Sequence, residues 1–281
     1  MDSFVVPAQT SQAPTTTRTT TMLVAGPLRV LVTDDPAHIV AAQRLRYRVF
    51  ADEPGFSDAI GDPLTRTDAD RFDAYCHHLV VIHDDDGMVG CARLLPPDRA
   101  IVAGGWYSDG EFETAGLSEI AASTVEMGRA CVAADHRSGS VTALMWAAVL
   151  QYVDAGGHRY LMGCVSMPLG APVGTGRARG ADLHGVRNLV RDKHAAPWSV
   201  FPHASCRVDG IALDHIPAAE KSVIPPLLRG YLRLGAQVCG EPAIDEVFDV
   251  ADFLTVIDRD GANRRYLDRL CGAIERLGGG R

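Results

Sequence analysis

The sequence lacks the closely spaced cysteine and histidine patterns that bind metals or form redox pairs. Its seven cysteines include no C-x-x-C pair, and its ten histidines include no H-E-x-x-H motif. Widely spaced cysteines with apolar neighbours are typical of buried, reduced thiols. We therefore expect no metal site and no permanently bound cofactor.

Long apolar runs and an excess of basic residues are also missing. No stretch of 18 apolar residues occurs, so we expect no membrane-spanning segment. The formal net charge of −8 argues against nucleic-acid binding, which needs clustered lysine and arginine. The first 21 residues show neither a basic start nor an apolar core. We expect no signal peptide and a cytoplasmic location.

The sequence favours one folded domain between two terminal segments. The Thr-rich residues 1–26 predict a disordered tail, residues 27–258 a single domain, and residues 259–281 a C-terminal helix or tail. Within the domain, two strands joined by an Asp-Gly turn precede a strand–helix–strand–helix succession. This order predicts an α/β fold with a mixed central β-sheet flanked by helices.

One predicted strand, "STVEMGRACV" at 123–132, carries two charges within an apolar run. Glu126 and Arg129 are three positions apart, and on a regular strand such residues point to opposite faces. Gly128 lies between them, and a glycine inside a strand often marks a bulge. We expect a bulge near Gly128 that brings both charges to one polar site.

The segment after this strand, "AADHRSGS", runs directly into a predicted helix. A helix N-terminus offers free backbone N–H groups and a positive dipole end, which suit a phosphate. Arg137 would add a charged contact, beside Gly139 and Ser140. Strand-to-helix loops of this kind are common, and a purely structural connection is the alternative.

The strand, loop and helix together resemble the acyl-donor element of the GNAT acyltransferases. A narrower set of motifs is similar to the acyltransferases that N-acylate ornithine in ornithine-lipid biosynthesis, and to their relatives, the acyl-homoserine-lactone synthases. The resemblance covers about residues 27–258. It rests on "LRYRVF" (45–50), "DADRFDAYCHHLVV" (68–81), "GCARLLPP" (90–97), "GGWYSDGEF" (104–112), "VEMGRACV" (125–132), "YLMGCVS" (160–166) and the C-terminal stretch 224–258.

The resemblance implies an ion-paired cluster beside the acyl and amine sites. Three arginines and three carboxylates would neutralise one another in a partly buried pocket. Taken singly, each would more often be a solvated or capping residue. The residues carried over are Arg46, Phe50, Asp70, Asp73, Arg93, Glu126 and Arg129.

The implied activity is a GNAT-type N-acyl transfer. A fatty acyl group would move from the phosphopantetheine thioester of acyl carrier protein, or from acyl-CoA, to a small amino acid such as ornithine. Glu126 would accept the amine's proton, assisted by Arg129. Backbone groups of Cys131 and Val132 would polarise the thioester carbonyl, and Arg137, Gly139 and Ser140 would hold the donor's phosphate.

Three alternatives stay open at this point. They are an acetyl-CoA- or acyl-CoA-dependent N-acetyltransferase, an autoinducer-synthase-like enzyme, and a non-catalytic GNAT-like protein that binds acyl carrier protein. A lipid-like product would also favour peripheral contact with the inner membrane face, although no strongly basic amphipathic helix demands it.

Overall fold

A large mixed β-sheet with helices on both faces forms the centre of the protein. The computed structural model describes residues 18–52, 60–170, 174, 176–263 and 265. Its strands are β1 Thr19–Ala25, β2 Leu28–Thr33, β3 His77–His83, β4 Gly87–Leu95, β5 Phe112–Glu113, β6 Thr124–Val132, β7 Tyr160–Pro168, β8 Phe201–Pro202, β9 Arg207–Val208, β10 Ile211–Ala212, β11 Gln237–Val238, β12 Ala243–Asp245 and β13 Val250–Asp258. The helices are α1 Pro36–Phe50, α2 Pro97–Ala103, α3 Ser118–Ala121, α4 Ser140–Ala155, α5 Ala181–Lys193 and α6 Pro226–Leu234.

Nine of these strands belong to the central sheet. Their order is β1-β2-β3-β4-β6-β7-β13-β11, and β12 pairs with β13 as well. The pair β6–β7 is parallel and its strands are joined through α4, whereas the other pairs are antiparallel. The predicted α/β fold with a mixed sheet, and the predicted β3–β4 hairpin, are confirmed. Within the described residues, no helix is both long and apolar enough to cross a membrane.

The two longest helices cover opposite faces of the sheet. In β3, Leu79 and Val81 lie in the same apolar cluster as Leu144 of α4. Val80, between them, lies in a second cluster with Leu45 of α1. Because successive side chains of a strand alternate between faces, both faces of the sheet are buried here. This explains why the central strands are apolar at nearly every position.

The N-terminal boundary differs from the prediction. Thr19–Ala25 form β1, which pairs antiparallel with β2 through a short turn at Gly26, whose φ is 57°. Threonine is β-branched and favours strands, so a Thr-rich run is compatible with an edge strand. The prediction of a disordered tail is wrong for these residues. Residues 1–17, 264 and 266–281 lie outside the described part.

Strand β6 contains the predicted bulge. Arg93 of β4 faces Gly128, whereas Cys91 faces Cys131, so two residues of β6 occupy the place of one on β4. Arg129 adopts a positive φ of 51°, and thus the irregular residue follows the glycine. The extra residue changes which side chains face α1, as expected for a bulge. The side chains of Glu126 and Arg129 can therefore share one face of the sheet.

Beyond Glu126, β6 and β7 separate. Their parallel pairing extends only from Thr124 opposite Tyr160 to Glu126 opposite Met162, although both strands continue further. At Gly163, the next position of β7, an added Cβ would lie 2.3 Å from the carbonyl oxygen of Met127. Only glycine therefore fits beside Met127 at the end of the paired segment, and a cleft opens after it.

Substitution Gly163→Ala is expected to force β6 and β7 apart at the base of this cleft. Overpacking of this kind costs about 1–3 kcal/mol of unfolding free energy. Gly128→Ala is the matched control, because a Cβ there meets nothing within 4 Å. Denaturant unfolding of both variants measures the difference. Equal stability of the two variants would contradict a close contact at Gly163.

Candidate active site

A buried network of charges lies between α1 and the sheet. Arg46 of α1 is only 1% exposed. It donates hydrogen bonds to Asp73 Oδ1 at 2.9 Å and Oδ2 at 2.8 Å, and its Nε donates to Asp68 Oδ2 at 3.0 Å. Burial alone would raise the pKa of Asp73, but the hydrogen bonds and charge of Arg46 hold that pKa well below its usual range.

Two further arginines extend the network. Arg93 of β4 donates to Asp70 and contacts Asp73 Oδ1 at 3.3 Å. Arg129 Nε lies 3.3 Å from Asp68 Oδ2, and its Nη2 lies 3.8 Å from Asp70 Oδ2. Three arginines thus face three aspartates, which balances the buried charge.

Hydrogen bonds at the start of a short 3-10 turn fix the positions of Asp70 and Asp73. Asp70 caps the 3-10 turn Arg71–Ala74, because its Oδ1 accepts a hydrogen bond from Phe72 N at 2.8 Å. Asp73 closes the reciprocal half of this capping box by accepting from Asp70 N at 3.2 Å. Both aspartates therefore cap a turn and pair with arginines at the same time.

Glu126 lies outside this ion-pair network. Its carboxylate oxygens accept hydrogen bonds from the backbone N–H groups of Tyr107 at 2.6 Å and Ser108 at 2.9 Å. No described arginine forms an ion pair with it, and Asp68 takes the place that the sequence prediction gave to Glu126. Burial raises the pKa of Glu126, and the two backbone hydrogen bonds oppose this rise.

A cavity of about 320 Å³ opens where β6 and β7 separate. Met127 and Tyr231 in its wall belong to the core under α4, whereas Phe248 and Val250 belong to a cluster on the other side of the sheet. The cavity therefore passes between the two strands. Its lining consists of Phe50, Tyr107, Glu111, Glu126, Met127, Gly128, Arg129, Ala130, Cys164, Ser166, Pro168, Pro225, Leu227, Tyr231, Asp245, Phe248, Val250 and Asp252.

Acidic side chains outnumber basic ones in this lining. Carboxylate oxygens of Glu111, Asp245 and Asp252 all lie within 4.8 Å of one another. Burial raises the pKa of both Glu111 and Asp252, and repulsion from neighbouring carboxylates raises them further. Together with Glu126 and Arg129, the described lining holds four carboxylates and one arginine.

Besides its two ion pairs, Arg129 lies against two aromatic rings in the cavity wall. Its guanidinium lies 5.1 Å from the ring centre of Tyr107 and 4.9 Å from that of Phe248. Its Nε has no hydrogen-bond partner among the described residues, and its ion pairs are longer than those of Arg46. This geometry leaves the guanidinium able to bind an anionic group in the cavity.

The predicted phosphate loop leads from β6 into α4. Arg137 is exposed, and its Nε donates to the carbonyl oxygen of Val132 at 3.0 Å. Gly139 has a φ of 100° and precedes Ser140, the first residue of α4. No described side chain caps this helix, so its first N–H groups receive no side-chain acceptor at the loop. The Cys131 side chain instead packs under α1, where its Sγ lies 3.6 Å from that of Cys91.

Comparison with known proteins identifies a domain type and finds relatives whose similarity extends over most of the chain. A family model described as "Acetyltransferase (GNAT) domain" matches residues 45–147. A solved structure of BjaI, a CoA-dependent acyl-homoserine lactone synthase, is 15% identical with a TM-score of 0.47, and the match covers 88% of this chain and 85% of that one.

An L-ornithine Nα-acyltransferase of Rhodobacter capsulatus is 32% identical over 91% of this chain and 100% of its own length. Another from Rhizobium meliloti is 33% identical over 83% of this chain and 80% of its own length. The chain belongs to the L-ornithine Nα-acyltransferase family. It is a GNAT-type acyltransferase, and the resemblance found in the sequence is confirmed.

In this acyltransferase, the residues predicted for the site fall into three groups. Arg46, Asp70, Asp73, Arg93 and Arg129 lie in one network, as expected. Glu126 and Phe50 line the cavity, which Arg129 also reaches. Cys131 and Val132 end β6, Arg137 and Gly139 lie in the loop after it, and Ser140 begins α4. Their roles in binding and catalysis stay predictions.

Sequence reasoning missed four acidic residues of the acyltransferase. Asp68 and Glu111 lie inside motifs that carry the resemblance without being among its implied site residues, and Asp245 and Asp252 lie in the C-terminal stretch. A signal for Asp252 is visible in "VADFLTVI", where one carboxylate interrupts an apolar strand. The same signal drew attention to Glu126 and applies equally here.

Substitution Arg46→Met is expected to leave buried Asp68 and Asp73 with only their longer contacts, to Arg129 and Arg93 respectively, each at 3.3 Å. Breaking a buried ion pair from one side costs about 3–5 kcal/mol of unfolding free energy. Arg66→Met is the control, since the ion pair of Arg66 with Asp52 is largely exposed, with a side-chain exposure of 61% for Arg66. Such a pair contributes about 0–1 kcal/mol. Unfolding in guanidinium chloride measures the loss of stability in each variant. Similar losses for Arg46→Met and Arg66→Met would argue against a structural role of the network.

The raised pKa values of Glu111 and Asp252 predict a dependence of stability on pH. Between the ordinary carboxyl pKa of about 4 and the higher folded pKa, the folded state binds more protons, so stability falls as the pH rises. Asp252→Asn should flatten this slope in urea unfolding from about pH 5 to about pH 8. The exposed Glu246→Gln is the control. An unchanged slope in Asp252→Asn would contradict a raised pKa of Asp252 as a source of this pH dependence.

Proposed function

We propose that this acyltransferase moves a fatty acyl group from the phosphopantetheine thioester of an acyl carrier protein to the α-amino group of ornithine. The observation that carries the proposal is the charge of the cavity between β6 and β7. Four carboxylates and one arginine line it. Ornithine carries two ammonium groups and one carboxylate, and its charges match this lining. The names of the family members support the same acceptor.

Glu126 has the properties that a base for this reaction needs. It is 3% exposed, lines the cavity, and is held in place by two backbone N–H groups. Its raised pKa makes it a better proton acceptor than an ordinary carboxylate. The proton of the acceptor ammonium would pass to Glu126. The neutral amine would then attack the thioester carbonyl carbon.

The attack forms a tetrahedral oxyanion that must be stabilised. Residues 127–132 of β6 have no paired position on β7, because the ladder between these strands ends at Glu126. Backbone N–H groups on this side of β6 would donate to the oxyanion. Collapse of the intermediate breaks the carbon–sulfur bond, forms the amide, and releases the donor as a thiol.

The donor side of the cavity suits a phosphopantetheine arm and an acyl chain. Pro225, Leu227 and Tyr231 of the α6 region provide an apolar wall beside Met127. The uncapped N-terminus of α4 and Arg137 lie at the loop after β6, where they would bind the phosphate. The charge pattern of the site is compatible with a carrier protein or CoA, so the donor has to be tested directly.

The donor experiment uses the full-length enzyme with ornithine and three donors in parallel. These are long-chain acyl-loaded acyl carrier protein, long-chain acyl-CoA and acetyl-CoA. The proposal expects N-acylornithine, detected by mass, to form fastest from acyl carrier protein. Product from acetyl-CoA alone would overturn the proposed donor, and the absence of acylornithine from every donor would overturn the proposed function.

Substitution Glu126→Gln is expected to lower kcat about 100- to 10,000-fold, because the amide cannot accept the amine's proton. KM for the acceptor should change much less. The variant also loses one accepted backbone hydrogen bond, which costs about 1–3 kcal/mol of stability and is checked by thermal unfolding. Glu119→Gln, on the exposed surface of α3, is the matched control. Full activity of Glu126→Gln would rule out its role as the base.

A further inference from the structure

Three carboxylates of the cavity have no part in the acyl-transfer step. Glu111 precedes β5, Asp245 ends β12 and Asp252 lies inside β13, so three separate segments bring them together. Among the described residues, they form the only group of histidine, cysteine, aspartate and glutamate ligand atoms close enough to hold one cation. All three line the cavity that also contains Glu126.

A second observation indicates that this group binds a ligand. Asp252 is 4% exposed and faces the cavity, and its Oδ1 has no hydrogen-bond partner among the described residues. Glu111 Oε2 is likewise buried with no donor among the described residues, and the Glu111 side chain interacts with the carboxyl group of Asp252. Burying a carboxylate oxygen without a donor costs free energy, and a cationic donor placed between these atoms would recover it.

The geometry favours an ammonium group over a metal ion. An ammonium has three N–H donors, and three carboxylates surround the site. Divalent calcium and magnesium need about six or more oxygen ligands. The neighbouring wall contains Phe248 and Val250, which offer no side-chain oxygen, and Ser166, whose single hydroxyl lies beside Asp252.

We propose that Glu111, Asp245 and Asp252 bind the side-chain ammonium of the acceptor and so select a diamino acid over its monoamino analogue. This inference rests on the proposed function. Arg129 would bind the α-carboxylate in the same cavity, and Glu126 would meet the α-amine. The acceptor is then held at three points, which leaves only one of its two amines at the thioester.

The test compares ornithine with norvaline, which has the same carbon chain without the side-chain amine. The wild-type enzyme, with its best donor, should show kcat/KM for ornithine about 100-fold or more above that for norvaline. Asp252→Asn should lower kcat/KM for ornithine about 10- to 100-fold. The kcat/KM for norvaline should change less than about 3-fold, since norvaline has no side-chain ammonium to contact these carboxylates.

Glu111→Gln provides a second variant with the same expected pattern, in case Asp252→Asn fails to fold. Glu246→Gln is the control, because Glu246 is exposed and does not line the cavity. An equal fall for both acceptors would show a structural or catalytic role and overturn the inference. A wild-type enzyme that acylates both acceptors equally would overturn it while the proposed function stands.

The remaining outcomes are also decisive. If the wild-type enzyme acylates neither acceptor with any donor, the proposed function fails and the inference falls with it. Activity that is lost in EDTA and restored by magnesium or manganese would assign the three carboxylates to a metal ion instead. Unchanged activity in EDTA, together with the loss of ornithine preference in both variants, supports the ammonium site.

Discussion

The separation of β6 from β7 is the constraint on which the functional part of the molecule depends. Pairing ends at Glu126, and at the next position of β7 the absence of a side chain on Gly163 leaves room for the carbonyl oxygen of Met127. From there each strand keeps its outer partner, β4 or β13, so the sheet opens without coming apart. The cavity, the unpaired backbone of β6 and the route from α6 to the acidic residues all follow from this local loss of hydrogen bonding.

The buried charge network keeps one wall of the opening rigid. Arg46 ties α1 to the segment that carries Asp68 and Asp73, while Arg93 ties that segment to β4. Because every member has a partner of opposite charge, attraction within the network offsets part of the cost of burying these groups, although Asp70 Oδ2 and Arg129 Nε have no hydrogen-bond partner among the described residues. Arg129 is its outermost member and reaches the cavity. The network therefore supports the site and supplies one of its charges.

Features that depend on neighbours in the sequence could be predicted, whereas those that depend on distant pairing could not. Gly128 between two charges indicated the bulge, and the Asp-Gly turn indicated the hairpin. Asp245 and Asp252 meet Glu111 only because β12 pairs with β13 and the segment before β5 lies against them. The run of threonines in β1 resembles a disordered tail in the sequence, because its β-propensity has an effect only when β2 is present as a partner.

Arg129 has a left-handed backbone conformation, with a φ of 51°, which glycine adopts more readily. The neighbouring Gly128 does not take this conformation. Left-handed geometry at a non-glycine residue costs on the order of 1–3 kcal/mol, which the surrounding fold must supply. A glycine at position 129 would relieve this strain but would remove the only arginine from the described cavity wall. If Arg129 binds the acceptor as proposed, stability and activity make opposite demands at this one position, and the stability margin of the whole domain sets how much strain it tolerates.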